Sequence, residues 1–187
     1  RQRLTPFLNF AVNQGLAKYN VLAGWKRPRR SKIQSAVAKG RSLSAGEVRA
    51  IWKATEIHSV FNHFIRVMLL TGLRNAETAS LDWKWIDKGL GAIVVPGHRM
   101  KSGKPHAVPI TSELQDVLAC IPLVSKTTLL FPVRSKQRTW TTMSGFGQML
   151  RKLQRESGTT GWTIYDLRRT FRSTISDLNF DLDLCER

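Results

Sequence analysis

The feature that most limits what this chain can fold into is a run of apolar side chains at helical spacing. Val60, Phe61, Phe64, Ile65, Met68 and Leu69 cover so much of one helix that it must lie in a core. The run meets Thr71-Gly72, and glycine is the residue that tolerates a left-handed C-cap, so the helix is expected to stop there. Asn75 then reads as the N-cap of a short second helix carrying Glu77. A charged residue, Arg74, is thereby offered at a tight break between two helices, behind a buried anchor.

The rest of the chain has to be weighed against its charge. Across 187 residues, 30 Lys and Arg stand against 13 Asp and Glu, a formal net charge of +17. Such a surplus selects polyanionic partners, nucleic acid first among them. A hydrophobic content of 42% and six tryptophans argue for a packed domain rather than a basic tail. No apolar run reaches membrane-spanning length, and no signal-peptide pattern is present. Cys120 and Cys185 have no paired spacing, which fits a reducing cytosol and no disulfide framework.

Residues 1–46 contain no acid at all. Thr5-Pro6 starts a helix with Leu8, Ala11 and Val12 on one face, stopped by Gly15. This helix lacks a partner element nearby, so residues 1–25 read as the end of a preceding domain. Residues 26–42 read as a basic interdomain linker. Its Lys26, Arg27, Arg29, Arg30, Lys32 and Arg41, unopposed by acids, suit a strap lying across phosphates. The main domain, 43–187, opens with a capping box in which Ser44 is the N-cap and Glu47 the third helical residue.

Downstream of Glu77 the period changes. Leu81, Trp83 and Trp85 alternate with polar neighbours and predict a strand. Ala92–Val95 and His106–Ile110 predict two more, with Pro109 placing the last at a sheet edge. Between these two lies a cationic hairpin tip containing Arg99, Lys101 and Lys104. A helix capped by Thr111 or Ser112, a short buried Leu129–Pro132 segment, a basic loop over 133–142 and a helix ending at Gly158 follow. A last helix starts at Asp166, with Leu167, Phe171, Thr174, Ile175 and Leu178 inward, and with Arg168 and Arg172 together on another face.

Thr71-Gly72-Leu73-Arg74-x-x-Glu77, the hairpin Met100-Lys101-Ser102-Gly103-Lys104-Pro105-His106, and Asp166-Leu167-Arg168-Arg169-Thr170-Phe171 occur in that order. Together they resemble the tyrosine recombinases, the phage integrase family. The resemblance covers 43–187, with 1–42 similar to the end of the family's core-binding domain and linker. It implies an α+β, mainly α-helical catalytic domain with a small three-stranded antiparallel sheet. Arg74 and Arg168 match the two catalytic arginines, Glu77 the acid that supports the first, and Lys101 the hairpin lysine, for which Lys104 is the alternative. Tyr165 stands where the family usually has histidine. A phenol titrates near ~10 rather than ~6.5, so Tyr165 either assists at the phosphate by hydrogen bonding or packs locally. The family's next box and its nucleophilic tyrosine would fall beyond Arg187.

What the resemblance implies chemically is transesterification of a DNA phosphodiester through a 3′-phosphotyrosyl intermediate, with no cofactor and no metal. The implied partner is double-stranded DNA at a specific recombination site, bound in the parent protein by a tetramer. Two guanidiniums hold their protons at any working pH and fork onto the non-bridging oxygens, where negative charge builds. A hairpin lysine can protonate the departing 5′-oxygen. The rival reading is a non-catalytic DNA-binding protein, or a degenerate remnant, on the same fold. His58, His63, His98 and His106 lack metal-ligand spacing, and no phosphate-binding glycine loop is present.

Overall fold

The computed structural model describes residues 4–23, 40–100 and 103–178. The chain divides into two compact units, 1–39 and 40–187. In the smaller unit, α1 spans Leu4–Asn13. Asn20 Nδ2 ties the following turn back to Asn9 Oδ1 at 2.6 Å and to the Thr5 carbonyl at 3.3 Å. Leu4, Phe7 and Phe10 of α1 are all exposed.

The larger unit is mainly helical: α2 (Ala45–Ala54), α3 (Val60–Thr71), α4 (Asn75–Ala79), α5 (Ser112–Ala119), α6 (Gly147–Ser157) and α7 (Ile164–Asp177). A three-stranded antiparallel sheet, in the order β1 (Ile86–Asp87), β2 (Ala92–Val95), β3 (His106–Pro109), supports the hairpin. Pro109 pairs with Ala92 on the edge strand, where its missing N–H faces no third strand. The core gathers around α3. Phe64 is fully buried, edge-on to Phe131 at 5.6 Å and stacked with Phe146 at 5.0 Å.

Local signals place the start and stop of several helices. Ser44 Oγ accepts from Glu47 N while Glu47 accepts from Ser44 N, so the expected capping box forms at α2. Such a cap contributes about 1 kcal/mol. Gly72 ends α3 at φ 60°, and Gly158 ends α6 at φ 64°.

Elsewhere tertiary contacts override the pattern. The alternation over Leu81–Ile86 does not form a strand: Trp83–Trp85 is a 3-10 turn, and β1 holds only Ile86 and Asp87. Asp82 accepts from Lys84 N at 2.9 Å, and Trp83 N donates to the Thr128 carbonyl at 2.9 Å, which turns the backbone out of the sheet. The basic stretch 133–142 is no plain loop but a second hairpin, β4 (Pro132–Arg134) with β5 (Trp140–Thr142), turning with Arg138 at φ 61°. Helix α7 starts two residues before Asp166, with Thr163 as N-cap, and Asp166 sits at its third position. Its buried face is Ile164, Asp166, Leu167 and Thr170, whereas Thr174 and Leu178, expected inward, are exposed.

Candidate active site

The Thr71-to-Glu77 stretch is built as a socket for one guanidinium. Arg74, not Asn75, is the N-cap residue of α4, extended at φ −69°, ψ 150°. Its N–H donates to Glu77 Oε2 at 2.9 Å and its Nη1 to Glu77 Oε1 at 2.8 Å. Glu77 is only 4% exposed, while the Arg74 side chain is 40% exposed. The buried carboxylate thus holds Arg74 by both backbone and side chain and leaves the rest of the guanidinium open to solvent.

Arg168 reaches the same place from α7. Its Nη1 donates to the Gly72 carbonyl, two residues before Arg74. Hydrogen bonds from a charged donor contribute roughly 1.5–3 kcal/mol, and this one joins α7 to the end of α3. Phe171, one helical turn on, lies where a side chain at Gly72 would have to be. So Gly72 is required twice, for its left-handed backbone and for the ring that fills its Cβ position.

Burial and neighbouring charges act on Arg168 together. Burial pushes the Arg168 guanidinium below its ordinary value, and the positive charges of Arg74 and Arg172 push it further; Glu77 and Tyr165 act the other way. A guanidinium remains charged at neutral pH after such a shift. The result is a small cationic centre, with Arg74 and Arg168 at its middle and Arg172 beside it, facing one buried acid. That arrangement can bind a phosphate group and stabilise charge growing on its oxygens.

The other residues singled out from sequence fall in different places. Tyr165 is 46% exposed, and Arg169 Cζ stacks over its ring at 4.6 Å. Arg99 and Lys104 are exposed on the hairpin, whose arms close where Gly97 passes the Gly103 backbone. Lys101 lies outside the described residues, as do Lys26, Arg27, Arg29, Arg30 and Lys32. Arg41 is placed, and its guanidinium is engaged at home. It donates to Glu47 Oε1 at 2.5 Å, to Glu47 Oε2 at 2.8 Å and to the Thr160 carbonyl at 2.8 Å. Among the described residues no group of three His, Cys, Asp or Glu side chains could hold a metal ion.

Sequence reasoning missed two participants. The Gly72 carbonyl carries no side-chain signal that could have marked it as an acceptor. Asp166, expected only to start a helix, is 1% exposed and accepts from Thr163 N and Oγ1, from Arg169 Nη1 and from Arg41 N. Burial works against its charge, yet the hydrogen bonds from Thr163 and Arg169 hold its carboxyl below the usual range.

A model of the phage integrase family matches residues 41–187. The chain belongs to the phage integrase family. Its resemblance to that family in the three motifs is therefore matched by the larger unit as a whole. Prophage integrase IntZ of Escherichia coli (strain K12) is 30% identical over 120 residues, which is 63% of this chain and 29% of the relative. Two solved structures share the integrase fold at a TM-score of 0.64. XerA recombinase is 21% identical, with 86% of this chain and 56% of that one covered. A lambda integrase tetramer bound to a Holliday junction is 17% identical, with 91% and 51% covered. The chain thus spans about half the length of these recombinase structures and under a third of the prophage integrase. Among the described residues no helix is long and apolar enough to cross a membrane.

Proposed function

We propose that the protein to which this chain belongs is a site-specific DNA recombinase that cleaves and rejoins DNA strands in the bacterial cytoplasm. The observation that carries this reading is the meeting of Arg168 with the Gly72–Arg74 turn, which concentrates two guanidiniums over one buried acid. Arg74 and Arg168 bind the non-bridging oxygens of the scissile phosphate, and Glu77 holds Arg74 in place. A tyrosine hydroxyl attacks phosphorus, forming the O–P bond of a 3′-phosphotyrosyl ester as the bond from phosphorus to the 5′-oxygen breaks and the phenol gives up its proton to solvent. The 5′-oxygen leaves with a proton from Lys101 on the hairpin. Rejoining reverses these steps, so bond energy is kept and no nucleotide cofactor is needed.

The tyrosines of this chain are Tyr19 and Tyr165. Tyr165 occupies the position usually held by histidine and serves the phosphate by hydrogen bonding, so neither tyrosine is assigned as the nucleophile. The partner is double-stranded DNA, and the working assembly is a tetramer, in keeping with the lambda integrase tetramer solved on a Holliday junction.

A nicked suicide substrate traps the covalent adduct on a denaturing gel and decides the matter. The 187-residue chain binds DNA without forming an adduct. The parent protein forms one, and Arg74→Ala slows it by roughly 100- to 1,000-fold, the usual cost of one preorganised donor. An adduct formed by the 187-residue chain and abolished by Tyr165→Phe would reassign the nucleophile. A parent protein that binds DNA yet never forms an adduct would favour the non-catalytic reading.

A further inference from the structure

The segment that enters the larger unit lies along α7. Arg41 N donates to Asp166 Oδ1 at 3.0 Å, Leu43 N donates to Thr170 Oγ1 at 2.8 Å, and Ser42 Oγ shares a 2.8 Å hydrogen bond with Ser173 Oγ. Three successive residues of the segment thus meet α7 at i, i+4 and i+7, a single helical face. Gly40 approaches so closely that a Cβ would overlap Arg169 Nη1 and Asp166 Oδ1. Arg168 projects about 200° round the helix from Asp166, at about 100° per residue. One side of α7 therefore carries the segment, and the opposite side carries the guanidinium that meets Gly72.

We propose that residues 40–43 are a latch that sets the position of α7, and that Asp166 and Thr170 are positioning residues for Arg168. This rests on the reading of Arg74 and Arg168 as the phosphate site. Two buried polar groups on α7 hold backbone N–H groups of the segment. Asp166 is 1% exposed and Thr170 6%. Thr170 Oγ1 also donates to the Asp166 carbonyl at 2.8 Å, so the two latch points are one network. A buried carboxylate gathering four donors is costly to move, and shifting the segment must drag the helix or break the network. Arg168 has little play on its own side, where Phe171 is seated over Gly72. A displacement of about 1 Å at such a site is enough to change phosphate binding.

The test reads Arg168 itself. The guanidinium NMR signals of Arg74 and Arg168 are followed in the 187-residue chain, with and without inorganic phosphate, well below the melting midpoint. Gly40→Ala leaves the sequence of α7 intact but sets a methyl against the Asp166 and Arg169 side chains, and Thr170→Val removes one latch point. Both should move the Arg168 signal in the absence of phosphate and weaken phosphate binding about tenfold, while Thr170→Ser, which keeps the hydroxyl, restores both. Asp166→Asn should do the same, and Gly40→Ala and Thr170→Val stand in for it if it fails to fold. Variants that lower the melting midpoint but leave the Arg168 signal unmoved would overturn the proposal and make the latch merely structural. Phosphate that moves neither arginine in the unaltered chain would instead refute the phosphate site, and the latch would still be read from the Arg168 signal without phosphate.

Discussion

Arg168 donates a hydrogen bond to the carbonyl of Gly72, a residue 96 positions earlier in the chain. This contact joins the two motifs that carry the candidate chemistry, because Gly72 closes the buried helix α3 and Arg74 opens α4 two residues later. It also means that the position of one arginine depends on the backbone that presents the other.

An anion should therefore find both arginines at once. A crystal soaked in sulfate or vanadate should show the ion between the Arg74 and Arg168 guanidiniums, on the side open to solvent. Difference density elsewhere, with both arginines bare, would count against the site.

Gly72→Ala should be among the most damaging single-methyl changes in the protein. A left-handed backbone at a non-glycine residue costs about 1–2 kcal/mol, and forcing the methyl against Phe171 adds roughly 1–3 kcal/mol. Urea unfolding should give a loss of about 2–5 kcal/mol, and the variant should lose phosphate binding because α7 must back away. A loss below about 1 kcal/mol would show that Phe171 moves aside freely.

The basic stretch before the latch and Arg41 should separate in a salt titration. Neutralising Lys26, Arg27, Arg29, Arg30 and Lys32 together with Lys39 should reduce the slope of log K against log salt by roughly 3, if about half of them meet phosphates. Arg41→Gln should leave that slope nearly unchanged, because its guanidinium is already bound to Glu47 and the Thr160 carbonyl. An unchanged slope in the sixfold variant would remove the strap from the account of DNA affinity.

Two groups should shape the acid side of the stability curve, in different windows. The side-chain hydrogen bond from Arg41, followed by that from the Ser44 backbone, holds the Glu47 carboxyl down at about 2. A depressed carboxyl pKa stabilises the fold above its unfolded value, near ~4.3, and that contribution is lost as pH falls toward 2. Burial, then the charges of His58 and Arg66, pushes His63 below its ordinary value, and its Nε2 is buried without a partner. Unfolded His63 takes up a proton first, so stability falls as pH drops below ~6.5. Glu47→Gln should flatten only the lower window and His63→Leu only the upper one, as read from melting midpoints between pH 3 and 8. Coincident changes in both windows would mean that the two assignments are wrong.

How much of this was legible before the structure follows from the range of each interaction. The capping box of α2, the apolar face of α3 and the glycine stop at Gly72 depend on residues within about four positions, and the sequence alone determined them. The residue types of the three motifs were equally plain, since a guanidinium, a buried acid and a hairpin lysine are recognisable wherever they fold. Tertiary structure decided what long-range hydrogen bonds control. Trp83–Trp85 alternate like a strand but turn as a 3-10 helix because Trp83 N is taken by the Thr128 carbonyl. Arg41 looks like one more cation of a DNA strap, yet Glu47 and the Thr160 carbonyl claim its guanidinium. Arg168 and Gly72 carry no mark of each other in the chain. Their contact exists because α7 packs along α3, and both helices share one core of buried apolar side chains, Phe64, Met68 and Leu167 among them, that carry no mark of the site they position.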